Sequence, residues 1–214
     1  MDKEFNVVCP NPQECMTDYQ IEQFILFAIA VAGKTAKTVA KQMDYFLSLQ
    51  QAPTPFKKVT DMILRGTLLR NLKRVHLGRY DVLKKAYTEL VKSKLDLRTC
   101  TVEDLEKIHG IGPKTARFFI MYTQPLQAVA ILDVHILRFL RAYAGYVGYY
   151  KIIPKSTPSG KKYKELEDVF LRICTKLQVL PSHLDTVLWM HYSGNENDNT
   201  EYNRLTQSLT ASKT

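Results

Sequence analysis

A glycine-rich turn between two helix-like segments constrains this chain most, and its letters are I-H-G-I-G-P. Upstream of it, Thr101 and Asp104 form the T-x-x-D pattern of a helix start, and apolar residues follow at helical spacing. Gly110 can adopt a positive φ at little cost. Pro113 suits the first position of a new helix, since its missing N–H would have no partner there. The sequence therefore predicts a helix, a tight hairpin and a second helix over residues 101–122.

The rest of the chain is dominated by helical periodicity. Apolar residues recur at the spacing of one helix face in four further stretches, which lie at 24–31, 39–47, 82–91 and 166–177. Pro-rich loops are predicted at 51–55 and 153–160, and no convincing alternating strand pattern occurs. The predicted fold class is therefore all-α. Residues 195–214 are polar with few large apolar side chains, so they are expected to form a flexible tail.

The charge balance favours a polyanionic partner. The 214 residues include 30 Lys and Arg against 21 Asp and Glu, which gives a net charge of +9 and a pI of about 9.3. Such a chain is attracted to nucleic acid, although charge alone does not prove binding. No apolar run is long enough to cross a membrane, and the first residues do not form a signal peptide. We expect an intracellular protein that is soluble and does not bind membranes.

The four cysteines do not form a metal-binding pattern. Cys9, Cys15, Cys100 and Cys174 are scattered, and no C-x2-C spacing for zinc is present. In an intracellular protein they are expected to be free thiols. We predict no metal site made by protein side chains.

The hairpin and a segment downstream carry a family resemblance. Lys114 directly follows the hairpin proline, and Asp133 comes 19 residues later (133 − 114) within L-D-V-H. This pattern resembles the helix-hairpin-helix DNA glycosylase superfamily, which includes endonuclease III and the 8-oxoguanine DNA glycosylases. The likeness is specific over residues 101–141 and weak elsewhere. A segment L-D-x-x-L-W ending at Trp189 is similar to one in a compact 8-oxoguanine glycosylase subfamily of archaea and some bacteria.

The resemblance implies a two-lobed helical fold with its active site in the cleft between the lobes. Residues 1–50 would pack with 145–194 as one lobe, and residues 51–144 would form the central lobe. Some relatives hold an iron–sulfur cluster through four cysteines that follow the aspartate helix. Only Cys174 lies there, so no such cluster is expected. The hairpin carbonyls of relatives often hold a monovalent cation, and no other cofactor is implied.

The resemblance also implies roles for individual residues. Lys114 would be the nucleophile of a bifunctional glycosylase and apurinic-site lyase, with Asp133 as the catalytic carboxylate. The residues expected to contact DNA are Gly110, Gly112, Thr115, His135 and Lys34. The aromatic residues expected to line the base pocket are Phe118 and Trp189.

Each of these residues also has an ordinary structural interpretation. Asp133 could simply cap the helix that follows it, and a lysine after a hairpin is usually a surface residue. His135 could lie on a helix surface and Lys34 on a solvated edge. The aromatic side chains could be plain core packing.

The substrate expectation is 8-oxoguanine in double-stranded DNA, acted on by a monomer. In the compact subfamily the chain ends in a lysine soon after its tryptophan, whereas here 25 residues follow Trp189 (214 − 189). Relatives often carry glutamine or asparagine near the position of Lys34. These departures leave another damaged or modified base, such as an oxidised pyrimidine, as the alternative substrate. A DNA-binding hairpin protein without catalysis is the alternative outside enzymes.

Overall fold

Residues 15–193 and 199–211 are described by a computed structural model, in which they form helices and no strand. This confirms the predicted all-α class. The chain divides into two compact units, the first ending at Gln124 and the second beginning at Pro125. No helix in the described ranges is both long enough and apolar enough to cross a bilayer.

The described residues of the first unit, 15–124, form seven helices, of which the first is central. They are α1 (Asp18–Ala30), α2 (Ala36–Ser48), α3 (Pro55–Leu64), α4 (Leu68–Arg74), α5 (Tyr80–Ser93), α6 (Val102–Glu106) and α7 (Pro113–Thr123). A capping box begins α1, in which Thr17 Oγ1 accepts from the backbone of Gln20 and the Gln20 side chain accepts from the backbone of Thr17. The second half of α1 is buried on all sides, because α2, α3, α5 and α7 all pack against it.

Within residues 125–193 and 199–211, the second unit forms four α-helices and a short 3-10 turn at Ala144–Val147. The helices are α8 (Val134–Tyr143), α9 (Gly160–Leu177), α10 (Pro181–Ser193) and α11 (Thr200–Ala211). Their apolar faces share one core, which includes Leu137, Phe170 and Leu188. The hydroxyl of Tyr163 accepts from Leu132 N at 3.0 Å and donates to Ala130 O at 2.8 Å. These bonds fix the extended segment that leads into α8.

The four stretches with helical periodicity are confirmed as parts of α1, α2, α5 and α9, and the loop at 51–54 ends where α3 begins. The loop predicted at 153–160 likewise lies in the non-helical segment that ends at Ser159, and Gly160 already belongs to α9. Periodicity was sufficient here because each of these helices has a broad apolar face to bury.

The expectation of a flexible tail over residues 195–214 is wrong for the part that forms α11. Within this polar helix, Leu205 and Leu209 are four residues apart on one face and are buried in the core of the second unit. Glu201 accepts from Arg204 and contacts His183 of α10 at 3.0 Å, and these partners lower the pKa of Glu201 to about 2. Two leucines are enough to dock the helix because α9 and α10 provide its apolar partner surface.

Other expectations concern residues outside the described ranges or the way in which separate parts of the chain pack together. Residues 1–14, 194–198 and 212–214 lie outside the described residues, and so do Cys9 and parts of the predicted tail. The pairing of residues 1–50 with 145–194 as one lobe stays a prediction, as does a cleft between lobes.

Candidate functional site

The hairpin begins with a short capped helix. Thr101 Oγ1 accepts from Asp104 N at 3.1 Å, and the Asp104 carboxylate accepts from Thr101 N at 3.2 Å. Hydrogen bonds from Lys107 and from Thr101 lower the pKa of Asp104 to about 2. The predicted helix start is therefore confirmed. The helix is shorter than its apolar pattern indicated, since α6 ends at Glu106 and a turn continues to the hairpin.

The tip of the hairpin is held against α5. Gly110 has a φ of +82°, and a Cβ atom built there would lie 3.0 Å from Val82 Cγ1. The preceding amide, His109 N, donates to the Glu89 carboxylate at 2.7 Å. Gly110 is thus required both for its backbone conformation and for this close approach. The predicted positive φ is confirmed.

The helix after the hairpin starts as the sequence predicts. Gly112 is the N-cap of α7 in extended conformation, and Pro113 occupies the first helical position. Lys114 follows in the first turn with an exposed side chain, and Thr115 beside it is half-buried. The first amide groups of a helix have no partner within the helix, so this turn presents N–H donors and a partial positive charge.

A buried arginine that sequence reasoning missed ties the two hairpin helices together. Arg117 is only 4% exposed, and its Nη1 donates to Glu106 Oε1 at 2.9 Å and to Pro113 O at 3.3 Å. The bond to Glu106 links the end of α6 to the start of α7. The available signal was a charged residue within the apolar face of α7, four positions after Pro113.

Asp133 is the N-cap of α8. Its Oδ1 accepts from His135 N at 2.9 Å and from Ile136 N at 3.0 Å. Its ordinary structural interpretation is therefore confirmed. A capping role is compatible with chemistry, because the two bonds fix the orientation of a half-buried carboxylate. The residue before Asp133 is also held in place, because the hydroxyl of Thr157 donates to Leu132 O at 2.8 Å.

The two residues expected to be catalytic lie in different units. Lys114 belongs to the first unit and Asp133 to the second. Each has a well-defined local position at the start of a helix. That their side chains meet at one substrate stays a prediction.

His135 lies in the first turn of α8, and its half-buried ring stacks on Tyr192 of α10. The ring centroids are 6.0 Å apart and the planes differ by 6°. Arg138, one turn further along α8, places its Cζ 4.6 Å from the centre of the same tyrosine ring. Sequence reasoning did not anticipate Tyr192 or Arg138 in this position. His135 as a DNA contact stays a prediction.

Lys34 lies in the connection between α1 and α2, and its Nζ donates to the carbonyl of Leu77. Burial lowers the pKa of Lys34, and the positive charge of Arg79 lowers it further. The ammonium group is thus held on the backbone between α4 and α5. A contact of Lys34 with DNA stays a prediction.

The two aromatic residues expected in the base pocket differ in their surroundings. Phe118 is half-buried and packs edge-on against Phe24 at 5.1 Å and Tyr122 at 5.4 Å, all within the first unit. Trp189 is 40% exposed on α10, whose neighbouring Leu188 is fully buried. Trp189 therefore has more exposed ring surface than Phe118 for stacking on a ligand. That either residue lines a base pocket stays a prediction.

The cysteine side chains in the described ranges are free thiols: Cys15 is exposed, whereas Cys100 and Cys174 are buried. Burial raises the pKa of Cys100 to about 11 and that of Cys174 to about 12. Neither buried thiol is therefore suited to act as a thiolate nucleophile. Among residues 15–193 and 199–211, no three His, Cys, Asp or Glu side chains group closely enough to hold a metal ion.

Taken with the all-α fold, the capped helix, glycine hairpin and following helix define a helix-hairpin-helix protein. The sequence matches the family described as Ogg-HhH, 8-oxoguanine DNA glycosylase, over residues 23–179. This range includes the hairpin, Lys114 and Asp133. The chain belongs to this family.

Individual relatives agree with that assignment. The chain is 38% identical over 92 residues to an 8-oxoguanine DNA glycosylase/AP lyase of Metallosphaera sedula, a match that spans 43% of this chain and 41% of the relative. Its fold is similar to that of the 8-oxoguanine DNA glycosylase of Thermotoga maritima, with a TM-score of 0.58 and 22% identity over 81% of this chain and 80% of that one. The 8-oxoguanine glycosylase/lyase of Methanocaldococcus jannaschii, solved with a 15mer DNA containing 8-oxoguanine, also gives a TM-score of 0.58, with 23% identity over 82% of each chain.

Proposed function

We propose that this protein is a bifunctional DNA glycosylase and apurinic-site lyase that removes an oxidised base, with 8-oxoguanine as the leading substrate. The observation that carries the proposal is the position of Lys114. Its amine is exposed on the first turn of the helix that follows the glycine hairpin, in a chain that belongs to the 8-oxoguanine DNA glycosylase family.

In the proposed reaction the Lys114 amine is the nucleophile. After losing its proton, it attacks C1′ of the damaged nucleotide, and the base leaves with the electron pair of the N-glycosidic bond. The sugar ring opens to give a Schiff base between C1′ and the lysine nitrogen. Loss of a proton from C2′ then eliminates the 3′ phosphate and nicks the strand. Hydrolysis of the Schiff base releases the lysine.

Asp133 supplies negative charge to this step. Positive charge develops on the sugar as the base departs, and a nearby carboxylate stabilises it and can accept the proton of the attacking amine. The two hydrogen bonds that Oδ1 accepts from backbone amides support this role, because they hold the carboxylate in one orientation before DNA binds.

The proposed partner is double-stranded DNA with one base turned out of the stack, an extrusion that costs a few kcal/mol. The hairpin amides, including those of Gly110 and Gly112, would bind phosphate, and the net charge of +9 would attract the duplex. Trp189 would stack on the extruded base, and such stacking contributes about 1–3 kcal/mol. We propose that the protein is a monomer and that it is located inside the cell, where it acts on DNA. The proposed reaction requires no cofactor, and a monovalent cation at the hairpin carbonyls stays a prediction.

A second candidate substrate is an oxidised pyrimidine. The observation that favours it is α11, which follows Trp189 and packs into the second unit. In the compact subfamily that the sequence resembles, the chain instead ends in a lysine near this tryptophan and that end helps to read the oxidised guanine. A different C-terminal structure could therefore read a different base.

Trapping with borohydride tests the proposal. The protein is incubated with duplexes that contain 8-oxoguanine, thymine glycol or an abasic site, and borohydride reduces any Schiff base to a stable adduct. We expect an adduct with the wild type, and we expect Lys114→Gln to lower its yield by about 10³-fold or more. Lys107→Gln is the matched control, because Lys107 is an exposed lysine beside the same hairpin. The ion pair of Lys107 with Asp104 has no part in the proposed reaction.

Each outcome identifies a different function. An adduct with 8-oxoguanine that depends on Lys114 supports the leading proposal, and preference for thymine glycol identifies the pyrimidine alternative. Trapping at the abasic site alone would indicate a lyase without glycosylase activity on these bases. DNA binding that weakens with salt but never yields an adduct would indicate a non-catalytic DNA-binding protein.

A further inference from the structure

A cluster of aromatic rings joins the C-terminal helix α11 to the end of α10. It consists of His191 and Tyr192 from α10 and Tyr202 from α11, and we call it the ring cluster. The rings of His191 and Tyr202 stack at 3.5 Å with planes 7° apart, and Tyr192 meets both rings edge-on. The hydroxyl groups of Tyr192 and Tyr202 lie 3.2 Å apart. The Tyr192 ring is therefore held from the side of α11.

Tyr192 also contacts two side chains of α8. The His135 ring lies parallel to it at 6.0 Å, and the Arg138 guanidinium lies 4.6 Å from its centre. These residues are three positions apart, so they occupy one face of the helix that begins at Asp133. A cation over a tyrosine ring is attracted by the negative charge of the ring face. Tyr192 thus contacts two polar side chains on this face of α8.

The contacts matter because long side chains lose conformational freedom when they bind. An arginine on an exposed helix face samples many rotamers, and fixing one of them on binding costs entropy. Arg138 is exposed at its helix surface yet packs on a ring that is itself fixed by α11. Its guanidinium and the His135 ring are therefore both ordered against the same tyrosine ring before any ligand arrives.

We infer that Tyr192 is a positioning residue that holds His135 and Arg138 together as a contact for the DNA phosphate backbone, and that α11 fixes Tyr192 through Tyr202. The inference rests on the proposed function, since it assumes that DNA lies at the start of α8. It assigns a role in binding to Arg138, which lies outside the family pattern recognised in the sequence. It also gives α11 a purpose beyond covering the core.

The test compares variants of Tyr192 by their affinity for a duplex that contains a tetrahydrofuran abasic analogue, measured over a series of salt concentrations. This DNA cannot be processed, so binding is separated from chemistry. Tyr192→Leu removes both ring contacts and should raise Kd about two- to fivefold. The slope of log Kd against log salt should fall by up to about one unit, because a phosphate contact is weakened. Tyr192→Phe keeps the ring and should bind within about twofold of the wild type.

Tyr146→Leu is the matched control. Tyr146 is another partly buried tyrosine on the core of the second unit, and its ring packs against Tyr143. Its loss should leave Kd and the salt slope unchanged. A merely structural role would lower thermal stability without changing the salt slope.

A double-mutant cycle with Arg138→Gln completes the design, and this exposed substitution is expected to fold. If Tyr192 acts through Arg138, Tyr192→Leu should weaken binding less in the Arg138→Gln background than in the wild type. Equal effects in both backgrounds, or equal effects of Tyr192→Leu and Tyr146→Leu, would overturn the inference. A wild type that binds this DNA but never forms a borohydride adduct would refute the proposed function alone, and the comparison of Kd values would still be informative.

Discussion

The hairpin of the first unit and the start of α8 in the second unit both present a helix N-terminus, but they are stabilised in different ways. The hairpin depends mainly on neighbours in sequence, because a capping box starts α6, Gly110 turns the chain and Pro113 starts α7. One bond from a distant element is added, since His109 N donates to Glu89 of α5. The start of α8 has a local cap in Asp133, but its side chains are ordered by Tyr192, which is distant in sequence.

The difference shows where each site can tolerate change. A locally encoded turn fails when one of its few special residues is replaced, since no other contact supplies the required backbone conformation. Where side chains are ordered by distant rings, most single substitutions leave the backbone conformation unchanged. The same substitutions alter the positions of the side chains. We therefore expect substitutions at the hairpin to lower stability first, and substitutions around α8 to change binding or chemistry first.

The largest expected effect separates the capping role of Asp133 from its proposed catalytic role. Asn caps a helix about as well as Asp, so Asp133→Asn should change the free energy of unfolding by no more than about 0.5 kcal/mol. It removes the negative charge that would stabilise the positive charge developing on the sugar as the base departs, so the single-turnover rate of base excision should fall by about 10²–10⁴-fold. Thermal melting and excision kinetics on the same sample measure the two quantities.

Asp104→Asn is the control from the hairpin, because Asp104 also takes part in helix capping and is also replaced by its amide. It should leave the excision rate within about twofold of the wild type, since no chemistry is assigned to it. A rate for Asp133→Asn as high as that of this control would show that Asp133 is only a cap.

The same contrast explains how much could be predicted from the sequence. The fold class and the hairpin follow from periodicity, a capping motif and two special residues, all of them local signals. The ring cluster and the ion pair of the buried Arg117 with Glu106 depend on which helices pack together, which one sequence does not specify. The helix α11 was missed because its apolar face consists of few residues, and these count only when a core is present to receive them.

Leu209→Ala tests whether α11 is part of the second unit in solution. Leu209 is fully buried, so its truncation should lower the free energy of unfolding by about 2–5 kcal/mol, measured by denaturant titration. Leu126→Ala is the control, because Leu126 is 99% exposed and should change stability by less than about 0.5 kcal/mol. Equal stabilities of the two variants would mean that α11 does not stay docked, and the support of Tyr192 from Tyr202 would be lost with it.

Gly110→Ala tests the local encoding of the hairpin, and its expected effect is the smallest of the three. The substitution places a Cβ at a φ of +82° and 3.0 Å from Val82 Cγ1, so it should lower the free energy of unfolding by about 1–3 kcal/mol. Gly112→Ala is the control, since its backbone is extended and its added Cβ would meet nothing within 4 Å. The double variant with Val82→Ala divides the cost between backbone conformation and contact. If Val82→Ala removes the whole effect, contact with α5 rather than local conformation requires glycine, and the hairpin depends on a distant neighbour as α8 does.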